Sequence, residues 1–161
     1  MITPLILALA IPDEAALTIA VREAIQDEIE FTIDATRDKD IARYMETVPD
    51  DYRIVEDDGS VTDKAALRSK QLQAWSIILR TNALDQSISR MALSCGGTCA
   101  DVWTDQRWDR QMLSRDGKSE HRVVTTQQHR ERWELRGSRW INVSIEELGG
   151  TVTVDGKAYS A

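Results

Sequence analysis

The chain lacks an excess of basic residues, a long apolar run and any cluster of metal-ligating side chains, and each absence removes a class of function. Its formal net charge is −7, from 27 acids and 20 bases in 161 residues, so the basic face that nucleic acid demands is missing. Its most apolar stretch, MITPLILALAI at 1–11, is far too short to span a bilayer. Two cysteines and two distant histidines do not make metal-ligand spacing, and nothing calls for a cofactor. Serine nucleophile elbows and phosphate-cradling glycine loops are absent as well. No repeat, linker or low-complexity segment divides the chain, which reads as one domain of ordinary size.

What is present builds a core. Apolar residues make up 42% of the chain, enough to fold without staples. The acids crowd the first half: residues 1–80 carry 16 acids and 9 bases, whereas 81–161 carry 11 of each. Acidic helices ahead of an arginine-rich sheet account for this, mostly as solvated faces. The opening run fits two readings. Ala8-x-Ala10 resembles a signal cleavage site, which implies a periplasmic or secreted protein. Otherwise residues 1–12 are an apolar arm on a cytoplasmic one. Cys95 and Cys99 flank Gly96-Gly97-Thr98, a tight loop that sets them across a ladder within disulfide reach. They are either bridged, in an oxidising compartment, or two free thiols.

Leu17, Val21, Ile25, Ile29 and Ile33 recur every fourth residue and predict a long amphipathic helix from Asp13 to about Thr36. A short helix, IARYMETV, stops before Pro49. DYRIVE reads as a strand turned by DDGS at 57–60. The segment VTDKAALRSKQLQAWSIILRT reads as a third helix, capped by Thr62 or Asp63, with Leu67, Ala74, Trp75 and Ile78 buried. Long alternating strands with tight turns then run from DQSISRMALSC to RWINVSIEEL. The fold class is α+β: three N-terminal helices in the concavity of a strongly curved antiparallel sheet, leaving a cone with an open mouth. The domain covers 13–149, and 150–161 is a tail that adds an edge strand or frays.

The run WELRGSRWINVSIE, with Trp133 and Trp140 around Gly137, and the opening AIQDEIEFTIDATRDKDIARYMETVPDDYRIVEDDGSV resemble the nuclear transport factor 2-like superfamily. Its SnoaL-like branch, which includes the association domain of calcium/calmodulin-dependent kinase II, is the most similar. The resemblance covers roughly residues 14–148 and implies a cystatin-like cone. It implies no single activity, since that scaffold hosts isomerases, cyclases, dehydratases, hydrolases and assembly modules. Ser144 and Glu146 stand where the kinase domain has histidines. Glu131 stands where it has an arginine, so this pocket is expected to be acidic.

Relatives with isomerase or dehydratase activity use a carboxylate in an apolar pocket, where burial makes it a usable base. Asp101, Asp105, Glu131 and Glu146 are the acids to consider, with Tyr44, Tyr52, His121 and His129 as partners. Of these, Glu146 and Asp101 are the candidate bases, and Tyr44 and Tyr52 the candidate donors. Trp75, Trp140, Ser144, Glu146 and Glu131 are the candidate ligand contacts. Strand alternation puts Trp140, Asn142, Ser144 and Glu146 on one face, which the resemblance places inside the cone. The opposite face, Ile141, Val143 and Ile145, then needs a cover that a second copy supplies, as a homodimer through the sheet. The expected function is a dimeric module holding a small apolar ligand without catalysis. The alternative is a cofactor-independent acid–base enzyme acting on a hydrophobic cyclic substrate.

Overall fold

A computed structural model of the chain describes residues 14–55 and 61–159. The apolar arm over 1–12 and the turn DDGS at 57–60 lie outside them. Helix α1 (Glu14–Asp38) buries Val21, Ile25, Ile29 and Ile33, the expected stripe, because a four-residue repeat keeps one face toward the sheet. Helix α2 (Ile41–Glu46) starts at Asp40, whose side chain accepts a hydrogen bond from the Arg43 amide. Strands β1 (Arg53–Val55) and β2 (Val61–Asp63) form a separate two-stranded sheet.

Helix α3 (Lys64–Ser76) begins under the Asp63 cap and ends sooner than the sequence suggests, because Ile77 is its C-cap. Ile78 is buried, as expected, but as the first residue of strand β3 (Ile78–Ser94). The paired β-branched Ile77 and Ile78 favour the strand, and tertiary pairing overrides the helical pattern. Ala74 is exposed on α3, against expectation, while Trp75 is buried.

Strands β4 (Cys99–Leu113), β5 (Glu120–Arg136), β6 (Arg139–Val154) and β7 (Lys157–Ala158) complete an antiparallel sheet in the order β3-β4-β5-β6-β7. Strand β6 runs straight through Gly149-Gly150 before Asp155-Gly156 turns it into β7. Cys95 and Cys99 are joined by a disulfide with Cα atoms 5.3 Å apart, across a turn of 3-10 helix at Cys95–Gly97.

Long strands twist, and bulges bend this sheet further. On β6 the pairing steps from Asn142 to Ser144 and from Glu147 to Gly149, so Val143 and Leu148 have no partner on β5. The sheet therefore wraps around α1, and Leu84, Ile88, Ala100, Val102, Trp133 and Trp140 pack on its apolar stripe. The free edge of β3 is covered from the helical side. Arg22, Gln26, Arg37 and Lys39 donate hydrogen bonds to the carbonyls of Ile88, Gln86, Leu84 and Ile78 respectively. Satisfying an open edge in this way removes a template for unwanted strand pairing. No helix among the described residues is long and apolar enough to cross a membrane.

On the outer face one acid is nearly inaccessible. Asp109 has 4% side-chain exposure and accepts from Asn82 Nδ2 at 2.9 Å, Arg122 Nη2 at 2.6 Å and Arg107 Nη2 at 3.3 Å. The hydrogen bond from Arg122, then that from Asn82, hold its carboxyl far below the ordinary 3.8. A depressed carboxyl stabilises the fold above its unfolded value, and that contribution disappears as pH falls toward the folded value. Asp109→Asn is expected to cost about 2 kcal/mol at pH 7, with the difference shrinking below about pH 4. Urea melts of both proteins at the two pH values measure this, and a pH-independent difference would refute it.

Candidate functional site

Where the wide end of the sheet clears the helices, α1, α2 and α3 leave a cavity of about 110 Å³. Its apolar walls are Ile29 of α1, Leu67 of α3, Val48 just after α2 and Ile145 of β6, with Tyr44 and Tyr52 also lining it. Trp133 and Trp140 form its floor and are 5% and 6% exposed. The two tryptophans flanking the Gly137 turn thus serve both core and cavity. Trp133 pairs with Asn142 and Trp140 with Leu135, so the two rings are diagonal neighbours on the same face of the hairpin.

The polar wall centres on Glu131, which is 2% exposed. Strand alternation sets Glu131 on the face of Trp133, and register puts it opposite Val102 and Ile145. Its Oε1 accepts from Gln86 Nε2 at 2.7 Å and from Thr104 Oγ1 at 2.9 Å. Its Oε2 accepts from Trp133 Nε1 at 2.8 Å and from Asn142 Nδ2 at 2.9 Å. Four donors on three other strands and its own replace the water that burial removed. Burial still dominates and pushes this carboxyl above its ordinary 4.5, while the hydrogen bonds pull against it. No salt bridge reaches Glu131 among the described residues. His129, two residues back on β5, lies alongside, and its Nδ1 is buried without a hydrogen-bond partner.

A second carboxylate, Glu28 of α1, borders the cavity with a different environment. Arg139 grips both its oxygens, at 3.0 and 2.6 Å, so its charge is neutralised by a bidentate pair. Two polar atoms of the wall are unused. Asn142 Oδ1 is buried with no partner. Tyr44, whose hydroxyl takes part in no hydrogen bond among the described residues, has its pKa raised by burial.

The other expected site residues are dispersed. Tyr52 borders the cavity and is buried. Trp75 packs edge-on against Tyr44 with ring centroids 5.6 Å apart, behind the wall and not in it. Glu146 is 65% exposed and lies 4.0 Å from Arg130. Ser144, Glu146 and Asp101 share a shallow depression on the outer face with Arg130 and Arg132. Asp101 is paired there with Arg132 at 3.2 Å. The single grouping of Trp140, Asn142, Ser144 and Glu146 is therefore corrected. The bulge at Val143 reverses the facing partway along β6, so Trp140 and Asn142 point in, Ser144 and Glu146 point out, and Ile145 joins the wall. Asp105 is exposed and accepts from Gln128, and His121 is tied to Asp155 at 2.8 Å. Neither reaches the cavity. Among the described residues no group of His, Cys, Asp and Glu is arranged to hold a metal ion.

Solved structures share this architecture. A putative scytalone dehydratase from Novosphingobium aromaticivorans superposes with a TM-score of 0.69 at 9% identity, over 85% of this chain and 90% of that one. The chain has the nuclear transport factor 2-like fold. A hexachlorocyclohexane dehydrochlorinase from Novosphingobium barchaimii is similar with a TM-score of 0.63 at 15% identity, over 87% of this chain and 94% of that one. A nuclear transport factor 2-like protein from Cytophaga hutchinsonii matches at 0.59 and 13% identity, over 78% of this chain and 95% of that one. No protein-family model and no curated protein matches the sequence. At these identities the likeness concerns the nuclear transport factor 2-like fold and leaves chemistry to the site.

Sequence reasoning passed over Glu28, Thr32, Thr47, Val48 and Gln86 of the lining, Thr104 behind it and Asn142 as a donor. Glu28 carried a usable signal, since it lies one turn before Thr32 beside the Ile25 and Ile29 stripe.

Proposed function

We propose that the cone of this protein is a binding site for one small, largely apolar molecule, in a homodimer that performs no chemistry on it. The observation that carries this reading is the saturation of Glu131. Each of its oxygens already accepts two hydrogen bonds, the full acceptor capacity of a carboxylate. A carboxylate in that condition has no lone pair to spare for a substrate proton. It orients the side chains of Gln86 and Asn142 instead. The rest of the wall supports binding by area: two tryptophans, two tyrosines and aliphatic chains, with the unused Asn142 Oδ1 and Tyr44 hydroxyl to fix orientation. The half-buried Ile141 and Val143 and the exposed Leu148 on β6 support a second copy as cover for that strand.

Native mass spectrometry of the purified protein tests both parts. A dimer carrying a mass excess that denaturation releases is expected. A bare monomer, together with no binding of small aromatic or alicyclic compounds followed by tryptophan emission, would sink the reading.

An acid–base enzyme remains the second reading, favoured by one observation: burial raises the Glu131 carboxyl, and Tyr44 across the cavity has a spare hydroxyl to donate to developing negative charge. It requires one of the four donors to leave Glu131 when substrate enters. Elimination or isomerisation of a ring substrate that is abolished by Glu131→Gln, with binding retained, would favour it over the first.

A further inference from the structure

We infer that the ligand of this cavity is an organic monocation, a protonated or quaternary amine on a small hydrophobic frame. The inference rests on the proposed binding role of the cone and assigns its ligand class. The charges around the cavity do not balance. Of its two carboxylates, Glu28 is neutralised by Arg139, but Glu131 accepts hydrogen bonds only from neutral donors. The basic side chain beside it, His129, makes no hydrogen bond to it and lies outside the lining. No lysine, arginine or histidine borders the space. Three of the four groups on Glu131 are N–H donors that cannot accept, an arrangement matched to the ionised carboxylate. Such a charge in a low-dielectric wall creates a strong negative potential that a cation beside it experiences with little screening.

Two further features act in the same direction. Tyr44, Tyr52, Trp133 and Trp140 all border the cavity, and the negative faces of such rings attract alkylammonium groups once water is excluded. The buried Asn142 Oδ1 has no donor, and the ammonium N–H of an amine supplies one. Asn142 then serves as a bridge, donating through Nδ2 to Glu131 and accepting from the ligand through Oδ1. An anionic ligand meets the opposite situation, because it brings a second negative charge and finds only the Tyr44 hydroxyl as a free donor. A neutral alcohol satisfies Asn142 but leaves the charge of Glu131 uncompensated. The outer depression at Asp101 and Glu146 is open surface whose charges are already paired with Arg130 and Arg132.

The decisive comparison uses two probes of one shape, benzylammonium and benzyl alcohol, in calorimetric titrations of the wild-type protein and of Glu131→Gln at pH 7. In the wild type the cation is expected to bind at least about tenfold more tightly than the alcohol. In Glu131→Gln that ratio is expected to fall below about threefold. Equal or tighter binding of the alcohol by the wild type overturns the cation assignment and leaves the binding cone intact. Binding of neither probe overturns both. A cation preference that persists undiminished in Glu131→Gln overturns the role given to Glu131. Should that variant not fold, the wild-type comparison decides alone.

Discussion

Glu131→Ala is expected to lose about 4 kcal/mol of folding stability, more than any ordinary surface or single-cap substitution. Removing the carboxylate takes a hydrogen bond from Gln86, Thr104, Trp133 and Asn142 at once. Among the described residues only Gln86 Nε2 keeps another acceptor, Thr104 Oγ1 at 3.1 Å. Each orphaned buried donor costs about 1 to 3 kcal/mol. Thr104 can rotate its hydroxyl, but the Trp133 indole is a donor only and has no alternative. A thermal melt followed by circular dichroism is expected to drop by about 10 °C. Glu131→Gln is expected to lose far less, about 1 kcal/mol, since its amide can face Thr104, which accepts as well as donates. A loss in the alanine variant no larger than in the glutamine variant would mean that the four bonds are ornamental.

The same pair of proteins reads the charge. A carboxyl whose folded value lies above its ordinary 4.5 supports the fold fully below that pH. The support declines as pH rises through the folded value. The wild type should therefore lose stability relative to Glu131→Gln on going from pH 4 toward neutrality. Tyr44 and the Glu28–Arg139 pair face Glu131 across the cavity, and His129 lies beside it on β5. All of these groups are common to both proteins, so the difference between the two reads Glu131. A wild type that gains on the variant over this range would reverse the sign of the burial effect.

How much of this is legible in the sequence depends on the range over which each signal acts. The repeat of Val21, Ile25, Ile29 and Ile33 is local, so α1 and its buried face were readable. So were the glycine-marked hairpins, whereas Glu131 stands among the acids and the ligand contacts but is passed over as a base in favour of Glu146 and Asp101. The end of α3 was not, because AWSIILR satisfies a helical pattern until Ile78 pairs with Met112 on β4, a contact that only the sheet supplies. Glu146 was misplaced for a sharper reason. The bulge at Val143 carries no glycine or proline to announce it, and one unpaired residue reverses every side chain beyond it. Glu28 is explained by Arg139, far along the chain, and the donors Gln86, Thr104 and Asn142 converge only through strand register. A site assembled from four strands is hidden until their registers are fixed.

Gly150→Ala is expected to cost about 3 kcal/mol, because it forces two backbones apart. A β-carbon there would stand 2.2 Å from the Thr126 carbonyl oxygen and 3.2 Å from the Gln127 Cα. Neither atom is the end of a flexible side chain, so β5 and β6 would have to separate locally. Gly156→Ala provides the contrast. Its φ of 80° is strained for alanine, but nothing lies within 4 Å, and about 1 kcal/mol is expected. Urea denaturation separates the two. Hydrogen exchange locates the damage, with faster exchange expected for amides around Thr125–Gln128, opposite Gly149–Val152 on β6, than around Glu131. That distribution matters for the cavity. Asn142 and Ile145 lie on the near half of β6, beyond the unpaired Leu148, and the bulge there lets the far half open while the Glu131 hydrogen bonds persist. Equal loosening at Glu131 and at Thr126 would show instead that the wall of the cone is one rigid unit, and that its ligand reports on the whole sheet.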